Sequence, residues 1–285
     1  ETLHPLNIYA PNPDLTFAKV KAIEEDAAGN LLFGLLQKGV MVLTSKPDNF
    51  AYYAISPTTN KINAVAVTSL SYDPNVGYII STDGCGVFRC GNSNLSESQQ
   101  MSGGLKSSLV QSTIIDREGR VWVGTYGGGV QCSSGDTFVT PSWLSQISND
   151  YIMSLSYDPK ANKLYVGSNG RGVYIVDLQR QQCSSLRERH NFNGWISNLE
   201  CDRQGIVWIS TAKGIYRYDH KADEMSEVKF PNSTIITTQC MASMGDSTLV
   251  IATSSGLVLY NKQTKKSRKL LDDEFLRSVE VFGTD

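Results

Sequence analysis

No run of apolar side chains in the 285-residue sequence approaches the roughly 18 that a membrane helix needs, so no spanning helix is predicted. Histidine is scarce: His4, His190 and His220 are the only three, which leaves little for chemistry built on an imidazole base. The cysteines, Cys85, Cys90, Cys132, Cys183, Cys201 and Cys240, form no C-x-x-C pair, and this speaks against a thioredoxin-like site or a zinc ribbon. Cys90, Cys132, Cys201 and Cys240 fall in predicted strands, where a thiol behaves as a small buried hydrophobe. Structural thiols are expected, with a Cys85–Cys90 bridge as the alternative. Neither sign of charge dominates: the net charge is −2, so the electrostatic footprint of a nucleic-acid or anionic-membrane binder is missing. The longest basic stretch, Lys262 to Lys269, is broken by polar residues and reads as a solvated connection. No D-x-[DN]-x-[DN]-G calcium loop occurs, and no metal or cofactor is predicted. The chain opens at Glu1 without Met or a leader-like segment, as a mature or trimmed chain is expected to.

What the sequence does have is a period. Asp116 to Val130 reads DREGRVWVGTYGGGV, and Asp202 to Ile215 reads DRQGIVWISTAKGI. Related stretches begin at Asp26, Asp73 and Asp158, with a weaker copy over Gly245 to Leu257. The closing glycines, Gly39, Gly86, Gly129, Gly172, Gly214 and Gly256, are spaced by 47, 43, 43, 42 and 42 residues. A fixed period of this length points to stacked or radial repeats.

Each unit reads as strands. An apolar pair stands six and three residues before the Asp, as in Val20/Ile23, Val67/Leu70, Ile152/Leu155 and Ile196/Leu199, with Val110/Thr113 as the polar exception. A turn rich in Gly, Asn and Pro follows. Then comes a short apolar run such as Val121-Trp122-Val123 or Val207-Trp208-Ile209, whose length and β-branching favour a buried strand. Each run ends in a small residue and, usually, a hydroxyl, as in Gly124-Thr125 and Gly167-Ser168. A tight glycine turn starts a third strand, and a variable fourth follows. The recurrent aspartates are expected to cap their own turns, and Gly34, Gly124 and Gly167 to make room for packing. Trp122 and Trp208 are expected in the core.

Four short strands per unit is the signature of a propeller blade. We therefore expect an all-β fold, a β-propeller with six full four-stranded blades plus parts of a seventh, as a single domain over residues 1–285. The blade cores are placed near 17–43, 64–90, 107–132, 150–176, 194–218 and 236–260, with seventh-blade pieces at 4–10 and 275–285. A closed seventh blade would need roughly 20 further residues or a partner strand, so the natural chain is expected to run on.

The pattern D-x-x-G-x-V-W-V-G-T-x-x-G-G-V at Asp116 to Val130 resembles the two-component regulator propeller repeat. The likeness extends over all six units, weakening at Asp26, where Leu35 replaces the hydroxyl, and at Asp246, where the turn is short. The resemblance implies the periplasmic sensor region of a hybrid two-component histidine kinase. Such a region would bind an oligosaccharide and relay to a kinase outside this chain. Neighbouring propellers or other domains of the full receptor, and a second copy in a homodimer, are the protein partners it implies. Direct nucleic-acid binding by this chain is not expected.

Three other propeller classes fit the sequence less well. Sialidase-type Asp boxes place one residue between Asp and Gly, whereas Asp116 and Gly119 enclose two. Streptogramin-lyase propellers share the D-x-x-G-x-V-W strand but need a base, and the three histidines read as surface residues. A protein-binding scaffold of the WD type would show G-H and W-D dipeptides, which do not recur here. No catalytic residue is assigned. Ligand contacts are expected where the repeat is interrupted on one face. These positions are Asp83, Tyr126, Asn169, Arg171 and Lys213 in the hairpins, and Tyr151 and Trp195 in the loops leading to inner strands. Tyr126, Trp195, Asn169 and Arg171 combine flat aromatic faces with planar polar forks, a set suited to sugar.

Overall fold

A computed structural model describes residues 19–44, 50–53, 66–91, 94–101, 103–147, 150–230, 238–272 and 276–281. The strands fall into six antiparallel four-stranded sheets, each following chain order. Each sheet is one blade. Apart from a 3-10 helix at Ser142–Ile147 and a five-residue helix at Leu186–His190, the described chain is strand and turn.

The inner strands are Val20–Glu25, Ala66–Asp73, Val110–Ile115, Ile152–Asp158, Ile196–Cys201 and Thr238–Met244, and all six line a central channel. The second strands are buried on both faces: Val121–Thr125 and Ile206–Thr211 are buried at every position. One face meets the preceding blade and the other the next, so no alternation of apolar and polar residues survives. The predicted apolar pairs provide the contact. Val67 and Leu70 pack on Leu32 and Val40 of blade 1. Ile152 and Leu155 pack on Trp122 and Val130 of blade 3, and Ile196 and Leu199 on Tyr165 and Val173 of blade 4.

The small residue that ends each second strand is dictated by this contact. A Cβ at Gly34 would lie 2.6 Å from Val67 Cγ1, at Gly124 2.5 Å from Ile152 Cγ2, and at Gly167 2.6 Å from Ile196 Cγ2. The turn aspartates act as expected. Asp116 Oδ1 accepts from Glu118 N and Arg120 N at 2.9 and 3.0 Å, while Oδ2 accepts from Trp122 Nε1 at 2.8 Å. Asp202 repeats the pattern with Gln204, Ile206 and Trp208. Trp122 and Trp208 are 1% and 3% exposed, core residues in both blades.

An inner strand presents an edge of backbone N–H groups toward its neighbour, and each needs an acceptor. A polar side chain inside the apolar pair of the preceding blade supplies it. Ser69 Oγ accepts from Thr113 N at 3.1 Å, Ser112 Oγ from Leu155 N at 3.0 Å, Ser154 Oγ from Leu199 N at 3.0 Å, and Asn198 Oδ1 from Met241 N at 3.0 Å.

The cysteines are free thiols, as expected, and the alternative Cys85–Cys90 bridge does not form; Cys90 is buried beside Phe88 and Val40, and Cys85 packs on the same cluster. Of the expected seventh-blade pieces, 4–10 and 275–285, only residues 276–281 are described. Residues 4–10 lie outside the described residues, and residues 276–281 have no strand geometry. The latter segment is nonetheless anchored: Leu276 N donates to Thr253 O at 3.0 Å, Cys240 Sγ donates to Val279 O at 3.7 Å, and Arg277, Ser278 and Glu280 line the channel.

Candidate functional site

The hairpins between second and third strands all emerge on one face, and a shared bond shapes them. The hydroxyl at the end of the second strand donates to the carbonyl of the closing glycine: Thr82 to Gly86 at 2.8 Å, Thr125 to Gly129 at 3.1 Å, Ser168 to Gly172 at 2.9 Å and Thr211 to Gly214 at 3.0 Å. Gly127 and Gly129 hold φ of 90° and 72°, a conformation that favours glycine. The residues between hydroxyl and glycine are left to point outward.

The hairpins of blades 2, 3 and 4 are each zipped to the loop that leads into the next blade. Isolated antiparallel bridges join Asp83 to Leu109, Tyr126 to Tyr151 and Asn169 to Trp195. Tyr126 N donates to Leu109 O and Asn169 N to Tyr151 O, both at 2.8 Å. A continuous line of predicted residues results, running from Tyr126 through Tyr151 and Asn169 to Trp195 across blades 3, 4 and 5. The Tyr126 and Tyr151 rings lie 4.5 Å apart at 52°. Tyr126, Tyr151 and Trp195 are 40%, 48% and 69% exposed, and Leu109, which sequence reasoning missed, adds 38% beside them. Among the described residues, these four and Val139 are all the exposed large hydrophobic side chains. Four of five therefore form one ridge.

The remaining predicted residues differ in setting. Arg171 reaches back: its Nη1 lies 3.3 Å from Asp150 Oδ1, and Tyr174 OH donates to Asp150 Oδ2 at 2.7 Å. The Tyr174 hydroxyl and then the Asp150 carboxylate hold the Arg171 pKa above its ordinary value. Neither Asp150 nor Tyr174 breaks the repeat visibly, so the sequence carries no signal for this pair. Asp83 is exposed on the blade 2 hairpin, and Lys213 on the blade 5 hairpin, where its N donates to Thr211 Oγ1 at 3.1 Å. Residues 231–237, which precede the inner strand of blade 6, lie outside the described residues. His190 Nε2 is 3.1 Å from Asp223 Oδ1 and His220 Nδ1 2.9 Å from Gly205 O, both away from this ridge. His4 lies outside the described residues.

The channel is a second concavity, a cavity of about 450 Å³ that none of the seven predicted residues lines. Burial raises the pKa of Glu24 to about 8, helped by the nearby Glu280 carboxylate. Glu200 and Glu280 are each pushed to about 7, again by burial first. No group of three His, Cys, Asp or Glu side chains is arranged for a metal ion among the described residues.

Residues 104–127 match the model of the two component regulator propeller family. That segment includes the Asp116 turn, Trp122 and the Tyr126 hairpin. No curated protein matches the chain in sequence. Among solved structures, the chain is similar to the extracellular domain of BT4673 from B. thetaiotaomicron, a protein described as a hybrid two component system. The TM-score is 0.74 at 15% identity, over 92% of this chain and 37% of that one. The chain thus spans little more than a third of that extracellular domain. It is also similar to a catalytically inactive virginiamycin B lyase from Staphylococcus aureus solved with quinupristin, with a TM-score of 0.71 at 9% identity over 88% and 84% of the two chains. The β-propeller domain of Cps50 (Swd1) from Myceliophteria thermophila scores 0.68 at 10% identity, over 92% and 89%. At these identities the three structures speak to the fold alone.

Proposed function

We propose that this chain is the ligand-sensing propeller of an extracytoplasmic, periplasmic two-component receptor, without catalytic activity of its own. An oligosaccharide docks on the ridge of Tyr126, Tyr151, Asn169 and Trp195, and the signal passes to a histidine kinase carried elsewhere in the full protein. The observation that carries the reading is the gathering of exposed aromatic side chains on one face of a rigid scaffold. Loops held by a rigid frame are where binding residues concentrate, and exposed apolar patches mark interaction sites. The propeller family match supports the receptor class. Trp195 and the tilted tyrosine pair offer apolar faces to sugar C–H groups, and Asn169 offers an amide to hydroxyls. Arg171, already committed to Asp150, serves as a secondary contact, with Asp83 and Lys213 at the flanks. We read residues 276–281 as the inner strand of a seventh blade in the same single propeller domain, because Arg277, Ser278 and Glu280 line the channel beside the six inner strands.

Calorimetry across a panel of neutral oligosaccharides tests the site. Trp195→Ala and Tyr126→Ala are expected to lower affinity about tenfold or more, as loss of aromatic anchors does, and Arg171→Ala less. Because a neutral ligand has no net charge, added salt should change little. A ligand bound equally well by the parent and both aromatic variants would put the site elsewhere, and turnover of the ligand would replace the sensor reading with an enzymatic one.

A further inference from the structure

The outer slots between blades are not alike. Between blades 3 and 4, the 3-10 helix Ser142–Ile147 fills the slot: Leu144 and Ile147 are fully buried and Trp143 lies 6.5 Å from Trp122. Between blades 5 and 6, the corresponding Trp208 instead borders a cleft of about 530 Å³. Across the strand pair, Trp122 faces Cys132, a small apolar neighbour, whereas Trp208 faces Arg217. The cleft wall is Trp208 with Tyr260 packed edge-on at 6.0 Å, and its rim carries Arg217, Lys229, Lys262 and Lys265 against one acid, Glu227.

Two of these cations are already committed. Lys262 Nζ is 3.0 Å from Asp202 Oδ2, both side chains being buried, and lies 5.6 Å over the Trp208 ring. Arg217 Nη2 is 3.0 Å from Asp219 Oδ2. Lys229 and Lys265 are exposed on the rim. After Asp202, Asp219 and Glu227 are counted against the four cations, one positive charge remains in surplus, on a chain whose net charge is −2. A concavity of this size, with an apolar wall and a few convergent charged groups, is the usual form of a small-molecule site.

We propose that this cleft binds a small organic anion through a single carboxylate or sulfate group held by Lys229 and Lys265, with its carbon frame along the Trp208–Tyr260 wall. Surplus charge of one selects a singly charged group. Lysine, a compact point charge with rotatable donors, accepts either oxyanion without demanding the paired geometry of a guanidinium fork. The site lies on the outer rim of blades 5 and 6 and does not depend on the aromatic ridge.

The test titrates the intact chain, at low salt, with glucuronate, glucose 6-sulfate and neutral glucose. At least one of the two acids is expected to bind while glucose does not, and whichever acid is preferred assigns the group. The double variant Lys229→Gln/Lys265→Gln, altered only at exposed positions and checked for unchanged melting, should lose about fivefold in affinity, in keeping with exposed ion pairs. Raising sodium chloride from about 20 mM to about 300 mM should weaken binding in the parent and much less in the variant. Trp195→Ala should leave this binding untouched, which separates it from the ridge. Equal response to glucose and both acids, no binding of either acid, or an unchanged affinity in the double variant overturns the proposal.

Discussion

At Gly124 an added methyl group would stand 2.5 Å from Ile152 Cγ2 and 3.4 Å from Leu155 Cγ, and both neighbours are core residues of the next blade. Neither can retreat without disturbing the contact that joins the two sheets. Gly124→Ala should therefore destabilise by about 1–3 kcal/mol, the cost of overpacking a filled interior. Gly91→Ala, with nothing within 4 Å of the new carbon, should be close to neutral; chemical denaturation of the two variants checks the contrast. This residue-scale logic was legible in the sequence because it repeats: glycine after an apolar run at Gly34, Gly124 and Gly167, aspartate in each turn, tryptophan in two second strands. Leu109, Asp150 and Tyr174 were not legible, because each acts at a single place in the ring. Leu109 matters only because the Asp83 hairpin bridges to it, and Asp150 because Tyr174 and Arg171 converge on its carboxylate.

Between strands, the blades are held by more than apolar contact. The row Ser69, Ser112, Ser154 and Asn198 gives the backbone N–H of each following inner strand an acceptor. In Ser154→Ala the apolar packing stays and Leu199 N loses its 3.0 Å partner. A buried donor left without a bond costs about 1–3 kcal/mol. We expect a loss in that range together with faster amide exchange at Leu199 than in the parent, and stability equal to the parent would show that water replaces the hydroxyl at no cost. The strands themselves could be placed from the sequence, since apolar pairs and glycine turns mark their ends. This acceptor row could not, because serine and asparagine share a capability there and not an identity, and the partner lies about one full repeat away.

Around the whole ring, the six blades followed from the period, but the manner of closure did not, because it rests on how residues 276–281 meet the first and last inner strands. That meeting places like charges together. Glu280 comes near both Glu24 of blade 1 and Glu200 of blade 5, and Glu200 Oε1 accepts from Ser243 N at 2.9 Å. Burial is the first cause of the raised pKa of all three, to about 8 for Glu24 and about 7 for Glu200 and Glu280, from an ordinary value of 4.5. In this window the folded chain holds more protons than the unfolded one, so stability falls as pH rises. The contribution is complete below about pH 4.5, where both states are protonated, and is lost progressively up to about pH 8. Lys21 and Arg277 also line the channel, and Lys262 acts on Glu200 from blade 6; these cations moderate the repulsion without cancelling it. Carboxylates with lowered pKa, such as Asp26, Asp219 and Asp223, act in the opposite sense at acid pH, so the informative quantity is the difference between variant and parent. Glu280→Gln removes the charge flanked by the other two. It should raise the melting temperature over the parent at pH 8 and leave it nearly equal at pH 4.5. If the gain is the same at both pH values, the effect is one of packing, and the carboxylates do not repel across the channel.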